Sequence, residues 1–384
     1  MVEPTPYGAT FLDWLACASA GRDEPAARAA AAAGDGLIER VVFAGTAGHV
    51  LDFDDTYLPG LSHLSAPTAP AALVLGAELG CSVGEVITAY AAGFEAMGAL
   101  ARASHPALYD RGWHPTSVCG VAGAAVAAAR LLSLDGERER AAVAIALLRA
   151  GGLRAAFGSD GKALQVGMAA AAGVMAARLA EGGASAPLDE VAHGAAGFEA
   201  VLGASFAEPS RDELAVRETW IKAWPCCLQT HGAIEAADRA RADGLEPGAP
   251  VEVIVHPISL EAARCGPEPA DGLQAKFSIY YCTAYTLLHG TPGLDAFRGL
   301  DSEAARLAGR VEVRTDDALL ESEAVLSSDG RELRVKAALG SPEQPMDDAA
   351  LAAKLRDLTG ERLLGVLDDP DRPASALLEA AGLS

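Results

Sequence analysis

The stretch His49-Val-Leu-Asp52-Phe53-Asp-Asp-Thr56-Tyr57 runs on through Leu58-Pro-Gly-Leu-Ser-His63-Leu-Ser65. It sets three aspartates, a threonine and two histidines between alanine-rich segments that carry almost no other charge. A solvated loop more often mixes Lys, Glu and Ser. Here the acids stand beside Phe53 and Tyr57, just ahead of a long apolar segment. Carboxylates held against apolar walls have displaced pKa values and can fix an imidazole in one orientation. The plain alternative is a polar helix terminus capped by aspartate, the commoner use of that residue. Repetition of the pattern further along the chain decides between the two.

Outward from this stretch the apolar spacing is helical. Residues 7–33 read as helix, broken by Gly34-Asp35-Gly36, and another helix starts near Leu37 and runs into the acidic motif. Pro67 and Pro70 sit where a helix start tolerates proline. Ser82-Val-Gly-Glu85 is a capping box, followed by Val86, Ile87, Tyr90, Phe94 and Met97 at helical spacing. Residues 104–117 read as a loop, 118–132 as a helix of small residues, and Asp135 as the cap of the next. A glycine-punctuated loop around Lys162 leads into a helix reaching about Glu181, and 184–215 reads as connecting structure. Beyond Trp220 the pattern changes. Val251–Val255 and Arg310–Arg314 alternate like strands, and 322–339 reads as a hairpin around Asp329-Gly330. Helix returns from Asp347. The chain is therefore mainly α, with a mixed α+β stretch before its helical tail.

The 384 residues suffice for two domains, or for one large domain with an insertion. Half of the residues are hydrophobic (51%) but only 5% aromatic, so close packing of Ala and Gly must supply the core. The net charge of −22 excludes nucleic acid and an anionic membrane surface as partners, since both need a basic face. A small anionic substrate remains open where a few cations converge. The most apolar run, Ala69 to Leu79, is too short to span a bilayer, and no secretory signal is visible at the N-terminus. Seven scattered cysteines, with Cys226-Cys227 lacking the second pair of a zinc site, read as reduced thiols of a cytoplasmic protein.

Polar or cationic residues come in five islands, each at the mouth of a helix: Asp52 to His63, Arg111 to His114, Lys162, Lys222, and Lys276 to Tyr281. Two imidazoles can act as acid and base near neutrality. Lysines hold carboxylates and stabilise enolate-like charge, and a tyrosine can donate to the same group. The set suits proton abstraction beside a carboxylate, followed by loss of water or carbon dioxide or by return of the proton.

The islands carry a resemblance. His49-x-x-Asp-Phe-Asp-Asp-Thr56, Arg111-Gly-Trp-His114-Pro-Thr116, Gly158-Ser-Asp-Gly-Lys162, Lys222-Ala-Trp-Pro-Cys-Cys227 through Thr230-His231, and Ala275-Lys-Phe-Ser-x-x-Tyr281-Cys resemble, in order, the MmgE/PrpD superfamily of 2-methylcitrate dehydratase, cis-aconitate decarboxylase and iminodisuccinate epimerase. The resemblance implies a helical domain of residues 1–217 and 344–384 with an inserted α+β lid at 218–343, and a pocket between the two. It also implies a homodimer and neither metal nor organic cofactor. His63, His114, Asp52, Lys162 and Tyr281 take catalytic positions. Thr56, Arg111, Lys222, Lys276 and Gln165 are assigned to substrate contact. The chain departs from the family's pattern at His63-Leu64-Ser65, where His-Pro-Ser is usual, and at Ala163 and Gln165, where a basic or proline residue and then a histidine are usual. Without that histidine, a smaller di-acid or a specialised metabolite is expected rather than 2-methylcitrate, and the same proton chemistry could then drive isomerisation or ring closure.

Two other readings fit parts of the chain. Asp52-Phe-Asp-Asp-Thr56 in a helical setting resembles the magnesium-binding motif of terpene and prenyl synthases, but no second such motif is visible and aromatics to line a carbocation pocket are few. A non-catalytic dimer that binds a small acid is the third; retention of both histidines, the lysines and the tyrosine argues against it.

Overall fold

The computed structural model describes residues 6–384. The chain divides into two units, one of residues up to Ile221 together with Asp347–Ser384, the other of Lys222–Met346. Helix dominates and the strands are short.

The first unit contains α1 (Pro6–Gly21), α2 (Pro25–Ala31), α3 (Leu37–His49), α4 (Ser65–Leu79), α5 (Val83–Ser104), α6 (Ala107–Asp110), α7 (Pro115–Leu131), α8 (Gly136–Leu147), α9 (Gly161–Glu181), α10 (Leu188–His193) and α11 (Phe198–Leu202). A short antiparallel ribbon pairs β1 (Thr56–Tyr57) with β2 (Thr219–Trp220). The single helix expected over 7–33 is two, because Pro25 occupies the first turn of α2 and holds Glu24 extended at φ −69°, ψ 152°. The small-residue helix begins at Pro115 rather than 118, proline again taking the first helical position. Residues 184–215 carry the short α10 and α11 rather than connection alone. The capping box forms as read: Ser82 N–H donates to Glu85 Oε2 at 2.8 Å and Glu85 N–H to Ser82 Oγ at 3.3 Å.

Small residues set how closely these helices approach. A Cβ on Gly48 would fall 2.0 Å from Trp14 Nε1, so the indole of α1 lies directly on the last turn of α3. A Cβ on Gly45 would meet the Cα of Gly167 at 2.9 Å, so α3 and α9 touch backbone to backbone. The second contact brings the C-terminal half of α3 beside the N-terminal half of α9. Behind them Phe11, Tyr90 and Phe94 pack edge to face, with centroids 5.3 and 5.5 Å apart in sequence. Burying each such side chain stabilises the fold by about 1.5–3 kcal/mol. By length and composition α9 could cross a membrane, unlike the run expected to be most apolar. Its packing against α3, α7 and α8 accounts for that composition.

The second unit contains α12 (His231–Ala242), β3 (Val251–Val255), α13 (Pro257–Ala262), α14 (Gly272–Ala275), α15 (Ile279–His289), α16 (Ser302–Ala308), β4 (Val311–Thr315), β5 (Ala324–Ser328) and β6 (Arg331–Val335). Its sheet runs β4-β3-β5-β6, with β3 and β4 parallel and the other pairs antiparallel. Val251, Val253 and Val255 are buried while their neighbours are partly exposed, the expected period of two. Asp329 and Gly330 both have positive φ, 50° and 75°, the two-residue hairpin turn that this dipeptide favours. After this unit α17 (Asp348–Thr359) returns to α1, and α18 (Ser375–Ala381) to α4.

Candidate functional site

His49 closes α3, and the chain turns immediately. Asp52 adopts φ 55°, a left-handed conformation that aspartate tolerates better than most residues, and its N–H returns to the His49 carbonyl at 3.1 Å. The turn points Asp54 back at His49, whose Nδ1 lies 2.9 and 3.1 Å from the two carboxylate oxygens. His63 reaches the same carboxylate from the other side, Nδ1 to Oδ2 at 3.3 Å. Its backbone N–H is fixed by Thr116 Oγ1 on the first turn of α7 at 3.1 Å. The two imidazoles meet edge to face with centroids 4.5 Å apart.

Asp54 is fully buried, and burial alone would raise its pKa. The charges and hydrogen bonds of His49 and His63 outweigh that and hold it well below the usual carboxylate range. Asp55 has the opposite fate. Burial and then the neighbouring Asp54 charge push it well up, against the hydrogen bonds from Ser65 N (3.2 Å) and Oγ (2.8 Å). Ser65 Oγ continues to Tyr90 OH at 2.6 Å, and Tyr90 to Thr10 Oγ1 at 2.9 Å. One aspartate is thus an anion between two imidazoles, and the next belongs to a buried hydroxyl chain.

Lys162, on the first turn of α9, places Nζ 2.5 Å from Asp52 Oδ1, which in turn is 3.9 Å from His63 Nε2. His114 caps α7, is buried, and stacks on His49 at 6.1 Å. Phe157 stands edge-on to His114 at 4.9 Å and 5.5 Å from Lys162 Nζ. Burial, then repulsion from His49, Lys162 and His63, the histidines contributing when protonated, keep the His114 imidazole well below its ordinary pKa, with Asp52 opposing. Gln165 Nε2 lies 2.6 Å from His114 Nδ1. Thr56 Oγ1 is buried without a hydrogen-bond partner among the described residues. His49, Asp54 and His63 each bring a possible metal-ligating atom within 4.8 Å of the others. In this arrangement the Asp54 carboxylate is hydrogen-bonded to His49 Nδ1 and stands at ion-pair distance from His63 Nδ1.

Of the residues singled out from sequence, Asp52, His63, His114, Lys162 and Gln165 lie together in the first unit. Arg111 does not join them: it is exposed, and its guanidinium covers Gly203, where a Cβ would fall 2.2 Å from Cζ. Lys222, Lys276 and Tyr281 belong to the second unit. Lys222 and Lys276 are buried there, and the Lys276 carbonyl accepts Cys227 N–H at 3.0 Å. The Tyr281 hydroxyl accepts the Asp301 N–H at 2.9 Å and donates to the Ala296 carbonyl at 3.5 Å. His49 and Asp54 fall within the acidic motif but carry no assigned role on sequence grounds. The available signal was a histidine ending a helix five residues ahead of an aspartate in a tight turn.

Residues 39–208 match the MmgE/PrpD N-terminal domain and residues 224–369 the MmgE/PrpD C-terminal domain. A cis-aconitate decarboxylase of Mus musculus is 30% identical over 274 residues, 66% of this chain and 55% of that protein. A cis-aconitate decarboxylase of Homo sapiens is 31% identical over 266 residues, 64% of this chain and 54% of that protein. The chain spans about half the length of these curated relatives.

Proposed function

The chain belongs to the MmgE/PrpD family, and on that premise we propose that it is a lyase or isomerase acting by proton transfer beside a carboxylate of a small organic acid. The observation that carries this reading is the buried Asp54 anion between the imidazoles of His49 and His63, with His114 stacked on His49 and the Lys162–Asp52 pair alongside. An imidazole whose Nδ1–H is held by a carboxylate presents a basic Nε2, which can take a proton from carbon. The electron pair left on that carbon delocalises into the adjacent carboxylate, whose growing charge the Lys162 ammonium compensates. Expulsion of hydroxide with a proton from an imidazole gives water, loss of carbon dioxide leaves a carbanion to be protonated, and return of the proton to the other face is epimerisation.

The likeness to cis-aconitate decarboxylases favours the lyase branch with a di- or tricarboxylic substrate. Gln165 in place of the histidine usual in the family favours a smaller acid. Lys222 and Tyr281 keep, within this proposal, the carboxylate-binding and donor roles that the family pattern gives them, and Lys276 stays assigned to substrate contact. Tyr281 would have to release its 3.5 Å bond to Ala296 in order to donate. The reaction is proposed to need neither metal nor organic cofactor. In support, the His49 and His63 Nδ1 atoms are engaged by Asp54, and Asp52 by Lys162. We also place the protein in the cytoplasm, where its seven free thiols stay reduced. It is proposed to pair with a second copy through α9, which exposes Met168, Met175 and Leu179 along one face.

The test is incubation with di- and tricarboxylic acids in heavy water. Deuterium entering a carbon next to a carboxylate, or a product lacking water or carbon dioxide, is the expected result. Inertness toward the whole panel, or turnover untouched by His114→Gln, would leave a non-catalytic acid-binding relative. Loss of activity to a chelator would overturn metal independence.

A further inference from the structure

Gln165 sits three residues after Lys162, and both ends of its side-chain amide are spoken for. Its Oε1 accepts the backbone N–H of Leu153 at 2.9 Å. Its Nε2 lies 3.4 Å from the Leu153 carbonyl and 2.6 Å from His114 Nδ1. Turning the amide over would set NH2 against the Leu153 N–H and oxygen against its carbonyl, losing both bonds.

Leu153 itself is held to the His114 loop. His114 N–H donates to Gly152 O at 3.0 Å, and Arg154 N–H to Gly112 O at 2.9 Å. Ser117 Oγ donates to the Gln165 carbonyl at 3.1 Å. Gly152, at φ 124°, lets this loop press onto the amide: a Cβ there would meet Ser117 Cβ at 2.6 Å and Gln165 Oε1 at 3.2 Å. The orientation of the amide is thus dictated by main-chain groups.

We propose that Gln165 is a positioning residue that holds His114 as the neutral tautomer protonated at Nε2, so that His114 supplies the proton in the reaction and His63 accepts it. An N–H directed at Nδ1 requires a lone pair there, which leaves the ring proton on Nε2. His63 has the reverse arrangement: its Nδ1 stands 3.3 Å from the Asp54 anion, whose charge favours the proton on Nδ1 and a basic Nε2. Two imidazoles of one site are therefore set in opposite tautomers by their second partners. In a dehydration, the C–H bond breaks toward His63 Nε2. The C–O bond breaks as His114 Nε2–H protonates the leaving oxygen, and water departs. In a decarboxylation, the same Nε2–H protonates the carbon that carbon dioxide leaves.

The charged and titratable groups facing His114 are His49 from α3, Asp52 and His63 from the acidic loop, and Lys162 from α9. Burial of the ring, together with the Lys162 ammonium, also disfavours its double protonation.

This inference rests on the proposed proton-transfer function for its catalytic consequence, but not for the tautomer. The protein labelled with 15N-histidine, without substrate, is read by long-range proton–nitrogen NMR between about pH 6 and pH 8, the range in which an unperturbed imidazole titrates. His114→Gln identifies the resonance. The expected result is a proton on Nε2 only. A proton on Nδ1, or an even mixture, overturns the proposal whatever the enzyme does.

Gln165→Glu offers Nδ1 an anion, so the proton should move to Nδ1, with the titration of His114 shifted upward and kcat lower by about tenfold or more at little change in KM. Gln165→Met, similar in size, should give mixed tautomers. An unchanged Nε2 signal in both variants would show that Gln165 does not set the tautomer. If the NMR result stands while heavy water yields no exchange with any acid, it is the enzymatic reading that fails.

Discussion

The ammonium group of Lys354 donates to the carbonyl oxygen of Phe53 at 2.8 Å. The same nitrogen lies 2.5 Å from Asp13 Oδ1 and 3.7 Å from the centroid of the Phe53 ring. One lysine from α17 thereby ties α1 to the residue between Asp52 and Asp54. Both members of the ion pair are buried, so the pair is no large gain over an apolar equivalent, but neither partner tolerates loss of the other.

Lys354→Met should therefore destabilise the protein by about 3–5 kcal/mol, because Asp13 is left as a buried anion. Adding Asp13→Asn should recover much of that loss. Urea unfolding of the two variants measures it. A single-variant cost well below about 1 kcal/mol would mean that water reaches the pair.

Asp54 holds two imidazoles by Nδ1, so Asp54→Asn removes the charge that fixes both. Turnover should fall by about 10²–10⁴-fold, the usual range for losing positioned acid–base catalysis. KM should move less. A loss confined to KM would place Asp54 in binding rather than in orientation.

Lys162 and His114 should separate kinetically. Lys162→Ala removes the cation proposed to hold the substrate carboxylate and should mainly raise KM, whereas His114→Gln should mainly lower kcat. The Lys162 variant also strands Asp52, so some loss of kcat is expected as well. The reverse pattern would exchange the two roles.

Acid should weaken the fold in a way that His114 reports. Its folded-state pKa lies well below that of an exposed imidazole, about 6.5. As pH drops through that value, the unfolded chain binds a proton that the folded protein refuses, so stability falls until the folded pKa is reached. Asp54, depressed by its imidazoles, adds stability above the unfolded carboxylate value of about 3.9 that is lost as pH falls through its folded pKa. Asp55, raised, has the opposite sign: its contribution is complete below the unfolded value and is lost as pH rises through its folded pKa. Denaturant midpoints against pH should show a shallower slope just below about pH 6.5 for His114→Gln than for the parent. Equal slopes would mean that His114 titrates normally.

The exposed α9 face should govern association. Met168→Glu with Met175→Glu places charge on that face and should shift the mass in solution from a pair toward a single copy, as sedimentation would detect. An unchanged mass would move the contact elsewhere.

Helical periodicity, the Ser82–Glu85 capping box and the Asp329-Gly330 turn were legible in the chain alone, because each depends on groups only a few residues apart. So were the residue types of the site, since three aspartates among alanines stand out at any distance. Which aspartate is an anion and which leans toward its neutral form was not legible, because Asp54 and Asp55 are adjacent and differ only in whether imidazoles or Ser65 and Tyr90 surround them. Nor were the support of Phe53 by Lys354, which comes from α17 301 residues on, or the turning of Gln165 toward His114, which the Leu153 main chain and Gly152 dictate. Local sequence determines which groups are offered; dielectric, charge and hydrogen bonding depend on what lies within a few ångströms, and for this protein that is decided by segments far apart along the chain.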